Sequence, residues 1–71
     1  MMMPLSYARV GEVNTIRQVS GPGQTRQFLE NLGFVPGGLV SIIQENGGNL
    51  IVDVKGSRVA VSREMAARIM I

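Results

Sequence analysis

A short helix with an explicit stop signal constrains the fold of this chain more than any other feature. The residues from Gly23 to Leu32 predict a helix of about two and a half turns. Gly33 follows, and because only glycine enters the left-handed backbone region at little cost, it is the natural residue just past a helix end. Such an ending places Phe34 where a hydrophobic contact back onto Leu29 is expected.

A tight turn is predicted directly after the helix, at Val35-Pro36-Gly37-Gly38. Pro36 presets φ for the first central position of the turn, and Gly37 accepts the positive φ of the second, which is the pattern of a type II turn. A strand-like run begins at once with Leu39. We therefore interpret Gly33, Pro36 and Gly37 as structural residues, and the order helix, glycine, turn and strand restricts the folds open to the chain.

The stretch from residue 12 to residue 19 is predicted to be a strand because it contains Val, Thr and Ile. Its apolar residues Val13, Ile16 and Val19 do not alternate cleanly, and their spacing would also suit a helix. We therefore expect a bulged or irregular strand in this part of the chain.

The second half of the chain predicts a series of short strands. Residues 39–44 and 50–55 are apolar, β-branched runs, and the Asn46–Asn49 segment between them is a hairpin signal. Another strand is expected at residues 58–61, and residues 70–71 can add a last one. The side chains expected on one face of the 50–55 run are Leu50, Val52 and Val54.

Two serines are expected to cap short helical turns. Ser6 is placed to cap a single turn that runs through Arg9. Ser62 is placed to cap a final short helix, with Glu64 in its first turn and Arg68 in its last, which is the charge order that a helix dipole favours.

About five short strands with two brief helices describe a mainly β fold. A twisted sheet of this size can bury its apolar faces by curling on itself, with a helix across one open end. The element lengths fit a small, partly open SH3-like barrel best. The 71 residues are enough for one domain, residues 1–71, whose core must hold without disulfides.

The chain lacks the residues that most catalytic and metal sites use. It has no His and no Cys, which excludes thiolate nucleophiles, imidazole ligands and disulfides. Its acids are scattered, with none within four positions of another, so no local ligand pattern exists. We therefore predict a protein that is not an enzyme and has no cofactor. The acidic residues are Glu12, Glu30, Glu45, Asp53 and Glu64.

The charges favour no particular partner. The net charge is +2, and the basic residues are spread along the whole sequence without a basic run. A fold could gather Lys55, Arg58 and Arg63 on one side, but solvated surface charges are the simpler interpretation. A nucleic-acid-binding SH3-like module is the alternative function, and few aromatic residues support it. Of Tyr7, Phe28 and Phe34, two are expected to be buried.

The sequence also resembles a known family. The resemblance extends from about Leu5 to Ile71 and rests on the order and spacing of its elements. It is similar to the FeoA family, small cytosolic proteins with an SH3-like barrel that are linked to the ferrous-iron transporter FeoB. The segments that carry the resemblance are residues 26–37, 40–42, 51–61 and 62–69.

This resemblance implies a non-catalytic role in assisting or regulating iron uptake, through contact with the cytosolic part of a FeoB-type transporter. The same domain also occurs at the C-terminus of iron- and manganese-dependent transcriptional regulators of the DtxR type. This chain shows no winged-helix segment ahead of the barrel, which favours the free-standing protein. The resemblance implies no catalytic residue, and no nucleic-acid partner is expected.

A protein contact requires a surface, and 45% of the residues are hydrophobic, which is more than so small a domain can bury. Phe28, Leu29 and Leu32 are predicted to form the core side of the helix. We expect the docking surface to include the helix from Thr25 to Leu32, at its less inward positions, and the adjoining Phe34-Val35 turn. The opposing possibility is the Asn46–Asn49 hairpin. The partner-binding residues predicted on this basis are Gln27, Glu30, Asn31, Phe34 and Val35.

The sequence predicts a cytoplasmic protein that does not insert into a membrane. No run approaches the roughly 18 apolar residues of a membrane span, and the start, Met1 to Leu5, lacks the basic region of a signal peptide. Weak self-association is left open by the apolar surplus.

We predict that the chain binds no transition metal tightly by itself, because a ferrous site without His or Cys would need several of the scattered carboxylates together. Anaerobic calorimetry with ferrous or zinc ion should show no stoichiometric site. A site with sub-micromolar affinity would contradict this prediction.

Overall fold

The computed structural model describes all 71 residues and has six strands, two short helices and one 3₁₀ turn. The mainly β fold with two short helices is confirmed, with one strand more than expected. In chain order the elements are the 3₁₀ turn Leu5–Tyr7, β1 Val13–Thr15, β2 Gln18–Val19, α1 Gly23–Asn31, β3 Leu39–Asn46, β4 Asn49–Val54, β5 Ser57–Ser62, α2 Arg63–Ala66 and β6 Ile69–Met70.

The strands form two antiparallel sheets. Four strands lie in the order β1-β3-β4-β5, and β2 pairs with β6 in a smaller sheet. The β3–β4 pairing shifts register between Ile42 and Gln44, which marks a bulge in β3. The β4–β5 pairing runs without interruption from Asn49 opposite Ser62 to Val54 opposite Ser57.

The additional strand arises because the predicted 12–19 strand divides between the two sheets. Ile16 stays with the larger sheet, since its N–H donates to the Gly38 carbonyl at 2.8 Å and its own carbonyl accepts from Gly37 N–H at 2.7 Å. The next residue, Arg17, donates to the Met70 carbonyl at 2.8 Å and so belongs to the smaller sheet. The expected irregularity is therefore a crossing between sheets.

The buried face of the larger sheet is apolar throughout. Leu50, Val52 and Val54 are all buried on one face of β4, as predicted. No polar or charged residue is buried. The core therefore rests on packing of aliphatic side chains, together with one aromatic ring. Its members are Leu5, Ala8, Ile16, Val19, Leu29, Phe34, Val40, Ile42, Leu50, Val52, Val54, Val61, Ala66, Ile69 and Ile71.

The end of α1 has the predicted geometry. Leu32 is still helical, and Gly33 follows with φ of 110°. The Phe34 N–H then donates to the Leu29 carbonyl at 3.1 Å, and both side chains are fully buried. In the turn that follows, Gly37 has φ of 89° and Gly38 N–H donates to the Val35 carbonyl at 3.0 Å, as expected for a type II turn.

Of the two predicted serine caps, one is confirmed and one is wrong. The Ser62 hydroxyl accepts from Met65 N–H at 3.1 Å. Ser6 lies inside the 3₁₀ turn and caps nothing, because the turn begins one residue earlier at Leu5, which is fully buried and follows Pro4.

The prediction that Arg68 lies in the last turn of the final helix is also wrong. α2 ends at Ala66, and the Arg68 carbonyl accepts from Ser20 N–H at 2.8 Å. The Arg68 N–H donates to the Met65 carbonyl, only three residues back, at 3.0 Å, so the chain has left α-helical geometry by residue 68 and continues into β6.

Gly33→Val should destabilise the domain by about 1–2 kcal/mol or more, because a β-branched residue at this positive φ is strained. The backbone strain is the minimum cost, since an ideal Cβ at Gly33 would be no closer than 3.5 Å to any neighbour and so would not itself clash. Denaturant melts measure it, with Gly48→Val as control, because Gly48 has no positive φ and open space around it. An unchanged midpoint for Gly33→Val would contradict the assigned role.

Candidate functional site

The exposed side of α1 carries the polar residues that the sequence predicted for a partner contact. Leu29 is the only buried residue of this helix. Successive helical residues are about 100° apart around the helix axis. Because Leu29 faces the core, the residues directly before and after it are turned towards solvent. We call this exposed surface the helix face. Its residues are Gln27, Phe28, Glu30 and Asn31, all exposed.

The two other residues predicted for the partner contact, Phe34 and Val35, follow the helix and are less exposed than the helix face. Phe34 is fully buried, so the prediction that its side chain meets a partner is wrong. Its ring belongs to the same core cluster as Leu29, and its N–H donates to the Leu29 carbonyl. Val35 is half-buried and keeps only part of its surface for a contact.

Phe28 is the residue of the helix face that sequence reasoning missed. The sequence predicts it in the core with Leu29 and Leu32, but it is 51% exposed, while Leu32 is half-buried against the core. Phe28 and Leu29 are neighbours about 100° apart on the helix, so a narrow contact with the sheet accepts only one of them fully. The sequence signal for this arrangement is Thr25. It lies on the same side of the helix as Leu29 and Leu32, so these three residues, without Phe28, can form the side that faces the core.

A second apolar surface lies on the outer side of the larger sheet. Val13 and Leu39 are 66% and 60% exposed there, in a depression of about 410 Å³. Val13 lies opposite Ser41, and Ser41 lies opposite Asp53, so the depression runs across three strands. We call it the sheet groove. Its lining residues are Val13, Leu39, Val40, Ser41, Asp53, Lys55 and Gly56.

The end of α1 and the sheet groove meet at one point. An ideal Cβ built at Gly33 would lie 3.5 Å from the Lys55 Cδ and 3.6 Å from its Cγ, so the aliphatic stem of Lys55 covers this glycine. Lys55 also lines the sheet groove. The residue that ends the helix is therefore packed beneath a residue that borders the groove.

The hairpin at Asn46–Asn49 is exposed but offers no apolar side chain. Beside it, an Arg63 guanidinium nitrogen lies 3.5 Å from a Glu45 carboxylate oxygen, and both side chains are about half exposed. A surface ion pair of this kind contributes about 1 kcal/mol or less. The hairpin therefore lacks the aromatic or aliphatic anchor that dominates most protein contacts.

The basic residues in the second half of the chain do not form a patch. Arg63 pairs with Glu45, and Arg58 lies directly opposite Asp53 in the β4–β5 pairing. The aromatic prediction was wrong in its count, because Tyr7 and Phe28 are exposed and only Phe34 is buried. Two exposed aromatic rings among charges of both signs do not amount to a base-stacking surface.

The acidic residues do not form a metal site in the fold. No group of three or more acidic side chains lies close enough together to hold a metal ion. None of the helices has the length and the apolar character that crossing a bilayer requires.

The sequence matches known proteins along almost its whole length. A family model described as the FeoA domain matches residues 3–71. A protein of Methanocaldococcus jannaschii with the provisional name Fe(2+) transport protein A is 30% identical over 70 residues, which are 99% of this chain and 85% of that protein.

Solved structures show the same fold. A crystal structure of the iron uptake regulatory protein FeoA has a TM-score of 0.89 at 28% identity and matches 99% of this chain and 95% of that one. The zinc complex of Stenotrophomonas maltophilia FeoA, described as a prokaryotic SH3 domain protein, has a TM-score of 0.82 at 27% identity, with 94% and 86% of the chains matched. The predicted SH3-like architecture is thereby confirmed.

A manganese-dependent transcriptional repressor shares the fold as well. Its TM-score is 0.88 at 16% identity, and the match covers 99% of this chain but 40% of the repressor. At this identity the similarity concerns the fold alone.

If Phe28 lies outside the core, its truncation should cost far less stability than truncation of its neighbour. Phe28→Ser should lower the free energy of unfolding by about 1 kcal/mol, since a fully buried Phe contributes about 1.5–3 kcal/mol and this one is half exposed. Leu29→Ala should cost about 2–5 kcal/mol. Denaturant melts compare them, and equal losses would place Phe28 in the core.

Proposed function

The chain belongs to the FeoA family, and from that premise we propose that it is a non-catalytic accessory protein of ferrous-iron uptake. It acts on the cytoplasmic side by contact with the cytosolic part of a FeoB-type transporter. Two relatives support the iron-uptake role: the M. jannaschii protein is named for Fe(2+) transport, and S. maltophilia FeoA is described as a candidate activating factor of bacterial ferrous iron transport.

The observation that carries the contact is an aromatic side chain exposed on a rigid helix. Phe28 is 51% exposed and has the polar residues Gln27, Glu30 and Asn31 around it on the helix face. Protein contacts commonly centre on such an anchor with a polar rim, and aromatic residues supply a large share of their binding energy. The helix face has this composition in a small area.

The helix face is held in place before any partner arrives. Leu29 fixes α1 to the core from one side, and Phe34, fully buried, fixes the chain just past its end. A surface presented on an anchored element loses less conformational freedom on binding than a surface on a loop. The short α1 is therefore suited to dock as a unit.

In this proposal the ferrous ion is the cargo of the transporter. The present chain contributes a protein-binding surface and no metal ligands. It has no His or Cys, and its acids are not grouped. In this proposal the chain affects transport through the protein contact alone. The affinity of that contact depends on side chains that have no catalytic or metal-binding role.

The proposal is tested by titrating the protein against the purified cytosolic part of the FeoB-type transporter from the same organism. Phe28→Ser and Glu30→Arg should each weaken binding by about tenfold or more, which corresponds to about 1.4 kcal/mol. Glu30→Arg should leave stability within about 0.5 kcal/mol, because the residue is exposed and has no ion-pair partner.

Matched controls identify the surface. Leu39→Ser removes from the sheet groove an apolar side chain that is somewhat more exposed than Phe28, and Asn46→Arg places a new arginine on the hairpin. Both should bind like the original protein. If either control loses binding while both helix variants keep it, the helix face is not the docking site; if the original protein does not bind, the proposed function is wrong.

A further inference from the structure

The larger sheet ends in an edge strand with no neighbour. β5 pairs with β4 on one side and is the last strand in the order β1-β3-β4-β5. Its six residues pair with β4 without a register shift, so no bulge interrupts it, and it contains no proline. The opposite edge, β1, has three residues. Edges are usually protected by shortness, bulges, proline or charge, and β5 has only Arg58.

The backbone groups that β5 leaves free follow from its hairpin. Lys55 and Gly56 form a two-residue turn with φ of 51° and 74°, so Val54 and Ser57 are the hydrogen-bonded pair that closes it. Bonded pairs alternate along antiparallel strands. Val59 and Val61 therefore form backbone hydrogen bonds to β4, while the backbone groups of the residues that alternate with them point away from the sheet.

The outward-pointing groups belong to Arg58, Ala60 and Ser62. None of their N–H groups takes part in a backbone hydrogen bond outside the helices and strands. The Ser62 carbonyl is in the helix-capping position, where it accepts the first bond of α2. The N–H groups of all three residues and the carbonyls of Arg58 and Ala60 thus remain for another strand.

We propose that β5 pairs with β5 of a second copy of this chain, antiparallel and about a two-fold axis at Ala60. This inference is independent of the transporter contact. In this register Ala60 of each copy exchanges N–H···O=C bonds with Ala60 of the other. At both ends the partner's Ser62 N–H donates to the Arg58 carbonyl. The two larger sheets then form one continuous sheet across the axis.

The side chains of β5 are complementary to themselves in this register. Arg58 lies opposite the partner's Ser62, so no two like charges face each other. On the inner side, half-buried Val59 lies opposite the partner's Val61, which covers apolar surface at the rim of the core. The Lys55–Gly56 turn of each copy approaches the single turn of the partner's α2, which carries one charge of each sign. Apolar contact and the absence of directly facing like charges therefore support this pairing.

Sedimentation velocity from micromolar to millimolar concentration tests the proposal. The original protein should shift from monomer towards dimer. Ala60→Lys should weaken self-association by about tenfold or more, since it places like charges directly opposite each other at the axis. Thr15→Lys is the matched control, because it adds the same charge at an exposed position of the other edge strand.

A charge exchange tests the register itself. Ala60→Glu alone should also weaken self-association, whereas an equimolar mixture of Ala60→Lys and Ala60→Glu should restore it. Far-ultraviolet circular dichroism of each variant checks that the monomer is folded. If the protein stays monomeric at millimolar concentration, the proposal is overturned. The β5 edge would then be available to pair with an extended segment of another protein. Loss of the dimer by Thr15→Lys alone, or no recovery in the mixture, would overturn the pairing through β5.

Discussion

The junction between Leu29, Gly33 and Phe34 is the contact on which the rest of the molecule depends. The positive φ of Gly33 turns the chain back on itself, so that the Phe34 N–H reaches the Leu29 carbonyl and both side chains enter the core. No disulfide or metal site assists the core, and the stability of so small a domain is on the order of 3–5 kcal/mol. Two fully buried side chains beside one glycine are a large share of that total.

The same junction determines which surfaces are available for binding. Because Leu29 faces the core, Phe28 and its polar neighbours face solvent, and α1 is presented as a fixed element. Because the Lys55 stem packs over Gly33, the helix end is joined to the turn between β4 and β5. The helix face proposed for the transporter and the β5 edge proposed for self-association use different residues.

The parts of this structure that sequence predicted are those with local causes. The end of α1 rests on a glycine, the Ser62 cap on a hydroxyl three residues from its donor, and the β4 face on simple alternation. The errors have distant causes. Arg17 leaves the first sheet because its N–H bonds to Met70, more than fifty residues away, and Arg68 lies beyond the helix, where its carbonyl accepts from Ser20. Phe28 could have been assigned by placing Thr25 with Leu29 and Leu32 on the side that faces the core, but the local pattern did not require it.

The central claim is that the α1 junction is part of the globally cooperative core, and native-state amide hydrogen exchange at Phe34 tests it most directly. The Phe34 N–H is bonded to the Leu29 carbonyl in a fully buried setting, so it should exchange only when the whole domain unfolds. Its opening free energy should equal the free energy of unfolding from denaturant melts, while the amide of Gln24 in the exposed first turn should exchange much faster. An opening free energy for Phe34 that is about 2 kcal/mol below the global value would show that the junction opens by itself. That result would contradict the claim.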